Sequence, residues 1–277
     1  MKRLKLDLEI VEKILVNFLS EEVKKSGFEK VVLGLSGGID SAIVAFLAAK
    51  ALGPENVLGI MMPYKTSSLE SLVDAERVIA ATGIKSKKID ITPMVDSYFK
   101  IEEEFGEPLT ALRKGNRMAR ERMCILYDYS AKEKALVLGT SNKTELFLGY
   151  STQFGDGASA LNAIGDLYKT QVWELSEYMG IPKEIINKKP SADLWEGQTD
   201  ESELGFSYKI ADEILYRLVD QRNTPDEVIQ EGYDEVIVRT ILKKIQSSQY
   251  KRKLPVIAKI SGRTIGREYR YPRDWGI

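Results

Sequence analysis

The strongest constraint on how this 277-residue chain folds is a rhythm. Short apolar runs alternate with helix-patterned stretches roughly every 25–30 residues over its first half. Residues 30–35, KVVLGL, read as a buried strand, followed by the tight turn Ser36-Gly37-Gly38 and an Ala-rich helix over 40–52 closed by Gly53-Pro54. The pattern repeats as strand 57–62, helix 69–82, strand 86–91 and helix 94–105. A loop over 106–115, a helix over 116–134 and a strand over 135–139 follow. Before them, Leu8, Val11, Ile14, Leu15, Phe18, Leu19 and Val23 recur at helical spacing. Strand–helix alternation predicts an α/β fold: a doubly wound parallel sheet flanked by helices. Helices over about 207–250 and a basic tail over 251–277 complete the expectation of a single domain, 1–277.

Composition narrows the chemistry. Hydrophobic residues at 43% and charged residues at 29% describe a chain able to bury a core, and the formal charge of −1 makes nucleic acid an unlikely partner. There is no histidine, which removes Ser-His-Asp, Cys-His and His-zinc chemistry. The single cysteine, Cys124, excludes an intrachain disulfide and sits in the apolar run 123–126, where it reads as core packing. Trp173 reads as packing and Trp195, in a polar loop, as a lid or substrate contact. A charged N-terminus and the lack of a long apolar stretch predict a cytoplasmic protein without a membrane span. Catalysis must then rest on carboxylates, cations, hydroxyls, backbone amides or a bound metal.

The sharpest local signal is Gly34-Leu35-Ser36-Gly37-Gly38-Ile39-Asp40-Ser41 between a strand and a helix. The glycines let a ligand approach the backbone, the helix start offers free N–H groups, and Ser36 and Ser41 add hydroxyls. Asp40 is the odd member: a carboxylate repels a phosphate unless a cation lies between them, and Mg²⁺ resolves that conflict. A lone GG-x-D would be read as a turn with a capped helix; the full octet in this setting points to a phosphate site. It lacks the GK[ST] of a Walker A loop.

Further along, Thr140 ends a strand, a ligand-facing position in open α/β sheets. Glu145, five residues later, is either a second metal carboxylate or a solvated helix residue. Arg113, Lys114, Arg117, Arg120 and Arg122 form either a solvated charged face or a contact for an anionic dinucleotide. Lys169 opens a helix, where the dipole disfavours a cation, so an anionic partner is expected.

The octet resembles the PP-loop of the N-type ATP pyrophosphatases, which implies an adenine nucleotide alpha hydrolase-like, Rossmann-like fold and cleavage of ATP to AMP and pyrophosphate. Four further segments are similar, in order, to those of NAD synthetases: KGNRMARERM at 114–123; LGTSNKTE at 138–145 with GYST at 149–152 and GDG at 155–157; DLYKTQV at 166–172; and PSADLWEGQTDE at 190–201. That resemblance implies ATP contacts from residues 34–41, Thr140, Lys169 and Ser191, and Mg²⁺ on Asp40 and Glu145. It also implies contacts of Arg120, Gln153 and Lys251 with deamido-NAD, ammonia as co-substrate, and a homodimer. Gln153, Ala160 and Tyr250 replace a Lys, an Asp and a His usual in the ammonia-dependent members. The tail at 259–272 looks like that of glutamine-dependent members, so a separate glutaminase subunit is a possible partner, although free ammonia is the expected donor. A ligase acting on nicotinate mononucleotide and a tRNA-modifying PP-loop enzyme are the alternatives.

Overall fold

The computed structural model describes residues 4–106, 109–191, 199–253 and 255–265. Four parallel strands, β1 (Lys30–Gly34), β2 (Val57–Met61), β3 (Lys85–Lys88) and β4 (Ala135–Val137), lie in the order β3-β2-β1-β4. Val32 stands beside Leu58 on one side and Val137 on the other. A single parallel bridge, Leu138 to Leu161, extends pairing beyond β4. The strand order is what positions the site. The chain moves outward from β1 to β2 to β3 and then returns to place β4 on the opposite side of β1. The C-terminal ends of β1 and β4 therefore flank a topological switch point, where such sheets bind ligands.

Both faces are covered, as side-chain alternation requires. Val31 and Leu33 point into a core shared with α1 (Leu8–Lys25), α2 (Ile39–Leu52), α3 (Leu69–Thr82), α7 (Lys169–Tyr178) and α8 (Lys183–Asn187). Val32, Ile60 and Val137 point the other way, against α4 (Thr92–Glu104) and α5 (Ala111–Glu133). Helix α2 is buried almost all round because alanines let α1, α3, α7 and α8 approach it. A third core, around Tyr208, Ile214, Leu215, Val238 and Ile241, joins α6 (Lys143–Leu148) to α9 (Asp200–Leu204), α10 (Tyr208–Leu215), α11 (Pro225–Gln230) and α12 (Glu235–Ser247).

Several details differ from the sequence expectations. Helix α5 starts at Ala111 rather than 116, because the Thr110 hydroxyl accepts the Arg113 N–H and caps it; Gly115 is thus a buried helical residue, not part of a loop. Strand β3 is exposed throughout, and its three lysines suit a sheet edge. Ile14 and Val73 face solvent, out of phase with the buried stripes of their helices. Cys124 is exposed, not a core residue: Met118 and Ala119 carry the buried face of α5, and position 124 falls on its outer side. Trp173 packs as expected, edge-on to Tyr208 at 6.1 Å. Trp195 lies outside the described residues. Among them, no helix is long and apolar enough to cross a membrane.

Candidate functional site

The octet leaves β1 and enters α2 at the switch point. Leu35 and Ile39 bury their side chains in the core, so they offer a ligand only backbone. Gly37 has φ +77°, and a Cβ there would stand 2.1 Å from the Ser71 carbonyl oxygen, so both conformation and space demand glycine. Gly38 precedes the first helical residue, with no side chain capping the helix. The Gly38 N–H donates to Ser36 Oγ (3.2 Å), while Ser41 Oγ donates to the Gly38 carbonyl (2.9 Å). This serine-braced turn presents the uncapped start of α2 to an anion.

Three segments converge beside it. Asp40 lies in the first turn of α2. Glu145 is the third residue of α6, and Lys169 is the first residue of α7. The Lys169 ammonium, 2% exposed as a side chain, is paired with Asp40 and with Glu145 Oε1 at 3.1 Å. Burial pulls the lysine pKa down, but the two carboxylates outweigh that effect and raise it. Burial pushes Glu145 up to about 8, aided by the Asp40 charge and opposed by Lys169. One cation thus serves two carboxylates. Below it, the Tyr208 ring lies 5.2 Å from Lys169 Nζ, and the Tyr208 hydroxyl donates to Asp200 Oδ2 (2.9 Å).

This donor set fits a magnesium ion. Asp40 and Glu145 converge on a single ammonium, which stands where a metal would satisfy both. Among the described residues no cluster of three or more His, Cys, Asp or Glu side chains could hold a metal alone. Two carboxylates next to a phosphate cradle match the way Mg²⁺ is bound, with phosphate oxygens and waters filling its shell.

Asn142 was not singled out in the sequence. Its Nδ2 donates to Asp40 Oδ1 (2.9 Å), its backbone N–H donates to Glu145 Oε2 (3.3 Å) and its Oδ1 accepts the Glu145 N–H (3.0 Å), so it fixes both carboxylates. The signal was present: Asn142-x-x-Glu145 is a capping box, and both of its reciprocal bonds form.

The remaining positions divide. Thr140 follows β4 and is partly exposed, and Ser191 is exposed just before the undescribed segment 192–198. In the basic helix, Arg113 pairs with Glu102 and Arg117 with Glu121, while Arg122 Nε holds the Met62 carbonyl (3.0 Å). Arg120 has no carboxylate partner among the described residues; its guanidinium donates to the Gln153 carbonyl (3.3 Å). Of the rest of the expected cluster, Lys114 lies over the Phe99 ring (5.7 Å) and Arg120 stands beside the 150s loop. Lys251 braces that loop, donating to the carbonyls of Gly149 (2.7 Å) and Ser151 (2.6 Å).

Comparison with known proteins gives this geometry its context. The NAD synthase family pattern matches residues 10–255. The chain is 58% identical, over 276 residues and the full length of both proteins, to the NH(3)-dependent NAD(+) synthetase of Trichlorobacter lovleyi. Among solved structures it resembles the NH3-dependent NAD synthetase of Campylobacter jejuni (TM-score 0.79, 37% identity, 92% of this chain and all of that one). It also resembles the NMN synthetase of Francisella tularensis (TM-score 0.82, 33% identity, the same coverage). A switch-point phosphate turn, a carboxylate pair around one cation and near full-length similarity lead to the same place: the chain belongs to the NAD synthase family.

Proposed function

We propose that this protein amidates deamido-NAD: deamido-NAD + ATP + NH₃ → NAD + AMP + pyrophosphate, the closing step of NAD biosynthesis. The observation that carries the reading is the meeting of Asp40, Glu145 and Lys169 beside the 34–41 turn, an assembly suited to a metal-bound triphosphate. Backbone N–H groups and the Ser36 and Ser41 hydroxyls hold phosphate. Thr140 and Ser191 contact ATP from neighbouring segments. Asp40 and Glu145 would hold Mg²⁺, which when bound would supply charge neutralisation for the triphosphate and the departing pyrophosphate. Lys169 is then the ammonium available to phosphate oxygens.

On the second substrate, an oxygen of the nicotinate carboxylate attacks the α-phosphorus and pyrophosphate departs, giving an acyl-adenylate. The ammonia nitrogen then attacks the carbonyl carbon, AMP leaves and a proton is lost. No side-chain nucleophile is needed, which suits a chain without histidine. Positioning and electrostatics carry the rate. Arg120 supplies a charge to the dinucleotide, and Gln153 and Lys251 shape its loop. The protein works as one domain in the cytoplasm, as a homodimer; the exposed Leu112 and Tyr127 on α5 support such an interface.

A second reading takes nicotinate mononucleotide as the acid, favoured by the fold shared with an NMN synthetase. One experiment separates them. Purified protein with ATP, Mg²⁺ and ammonium is offered each acid in turn, and amide and AMP are quantified. Deamido-NAD should be converted with the higher kcat/KM; preferential conversion of the mononucleotide would overturn the assignment.

A further inference from the structure

Glu145 and Lys169 reach one another from different helices, and something must fix the spacing of those helices. The start of α7 lacks a conventional cap: its N-cap residue is Tyr168, which has no short polar side chain. The orphan donors go elsewhere. The Lys169 N–H donates to Thr144 Oγ1 (3.0 Å), and the Thr170 N–H donates to Asp212 Oδ2 (2.8 Å). The Thr170 hydroxyl also donates to Asp212 Oδ2 (2.8 Å), and the Thr144 hydroxyl donates to Asp212 Oδ1 (2.5 Å). Thr144 and Asp212 are both fully buried.

Asp212 belongs to α10 and touches no part of the phosphate turn, yet its bonds end one residue from Glu145 and one residue from Lys169. We propose that Asp212 is a positioning residue: through Thr144 and Thr170 it clamps the first turns of α6 and α7, and so sets the separation of the Glu145 carboxylate and the Lys169 ammonium. A buried carboxylate is costly unless its oxygens are bonded, and here both are used across two helices. Its negative charge also complements the positive end of α7. An ordinary serine cap at 168 would satisfy α7 alone and would not tie it to α6. The proposal rests on the reading of Glu145 and Lys169 as the metal and phosphate residues.

The test removes one hydroxyl at a time. Thr144→Val and Thr170→Val keep the side-chain volume, and Asp212→Asn keeps the shape of the carboxylate. Binding of ATP with Mg²⁺ is measured by calorimetry without the second substrate, alongside melting temperature. Loss of such supporting contacts typically weakens a site by about ten- to hundredfold, and that is the expected change in the ATP dissociation constant for Thr144→Val, with Thr144→Ser restoring it. The dissociation constant for deamido-NAD should move far less. Variants that melt lower but bind Mg²⁺ and ATP as the parent does would overturn the proposal, since they would make the clamp purely structural. Whichever variant folds carries the test. The ATP dissociation constant is measured without the acid, so a wild-type protein that fails to amidate deamido-NAD would overturn the assigned function and leave the ATP result standing.

Discussion

A lysine between two carboxylates is the central residue-scale feature. Lys169 is buried, and its charge is tolerable only because Asp40 and Glu145 answer it. Those carboxylates in turn are placed by Asn142, which bonds one and caps the helix of the other. Replacing Asp40 with Asn or Glu145 with Gln keeps the shape and removes one carboxylate charge. Each variant should fold and lose AMP release by about a hundredfold or more, the scale of losing a main electrostatic contact to developing charge; near-normal turnover in Mg²⁺ would eliminate the two-carboxylate metal site. Arg120 supports a different expectation. Its neighbours Arg113 and Arg117 are already paired, so Arg120→Ala should weaken deamido-NAD by about 1.5–3 kcal/mol and ATP much less. Substrate-specific KM values check this, and equal weakening of both would mean the helix faces ATP instead. At this scale Asp40 was legible because a carboxylate in an anion-binding turn is a contradiction that needs a cation. Asn142 was legible in principle as a capping box. Asp212 was not, because its partner Thr144 lies 68 residues away and neither stands out in its own segment. Cys124 was misread because the apolar run 123–126 conceals the helical phase that turns it outward.

At the scale of elements, period did most of the work. The bounds of α3, Leu69–Thr82, coincide with the expected range because Ser68 caps one end and Gly83 closes the other. The start of α5 was missed by five residues because Gly115 looked like a breaker, whereas Thr110 had already capped the helix. Strand β3 is poor in apolar residues because it is an edge, so only its place in the alternation marked it. How α6, α7 and α10 meet could not be read locally, and their junction carries a pH signature. Burial pushes Asp212 up to about 6 from 3.8, although the threonine donors oppose it. As pH falls through about 6 the native state takes up this proton before the unfolded chain does, which titrates near 3.8. The native state therefore gains stability on acidification across that window, and this contribution is lost as pH rises through about 6. The span corresponds to about 3 kcal/mol at ~1.4 kcal/mol per pH unit. Denaturant unfolding of wild type and Asp212→Asn between pH 4 and 7 should give stability–pH slopes that differ in this sense; identical slopes would mean that Asp212 titrates normally.

The whole molecule bears on the source of nitrogen. Amide formation from an acyl-adenylate needs only an uncharged amine and a bound electrophile, whereas freeing ammonia from glutamine by the nitrilase-type route needs a nucleophilic thiol in its own assembled site. In this chain the one thiol is Cys124, exposed on the outer side of α5. The switch point, by contrast, brings the phosphate turn, the paired carboxylates and Lys169 together from α2, α6 and α7, while Arg120 and Lys251 both bond backbone carbonyls of the 150s loop. In the proposed function these parts serve adenylation and amine attack. The 277-residue protein should therefore make NAD with ammonium salts and little or none with glutamine, the yield rising with pH as ammonium is converted to free ammonia. Cys124→Ser should retain ammonium-dependent synthesis, because an outward-facing thiol touches neither reacting group. Both assays follow NAD and AMP together, so that uncoupled ATP cleavage is visible. Robust synthesis from glutamine by the purified protein would overturn this account of the donor. Loss of ammonium-dependent synthesis in a well-folded Cys124→Ser would show that the outer face of α5 takes part in the reaction, as it would if that face closed the site across a dimer.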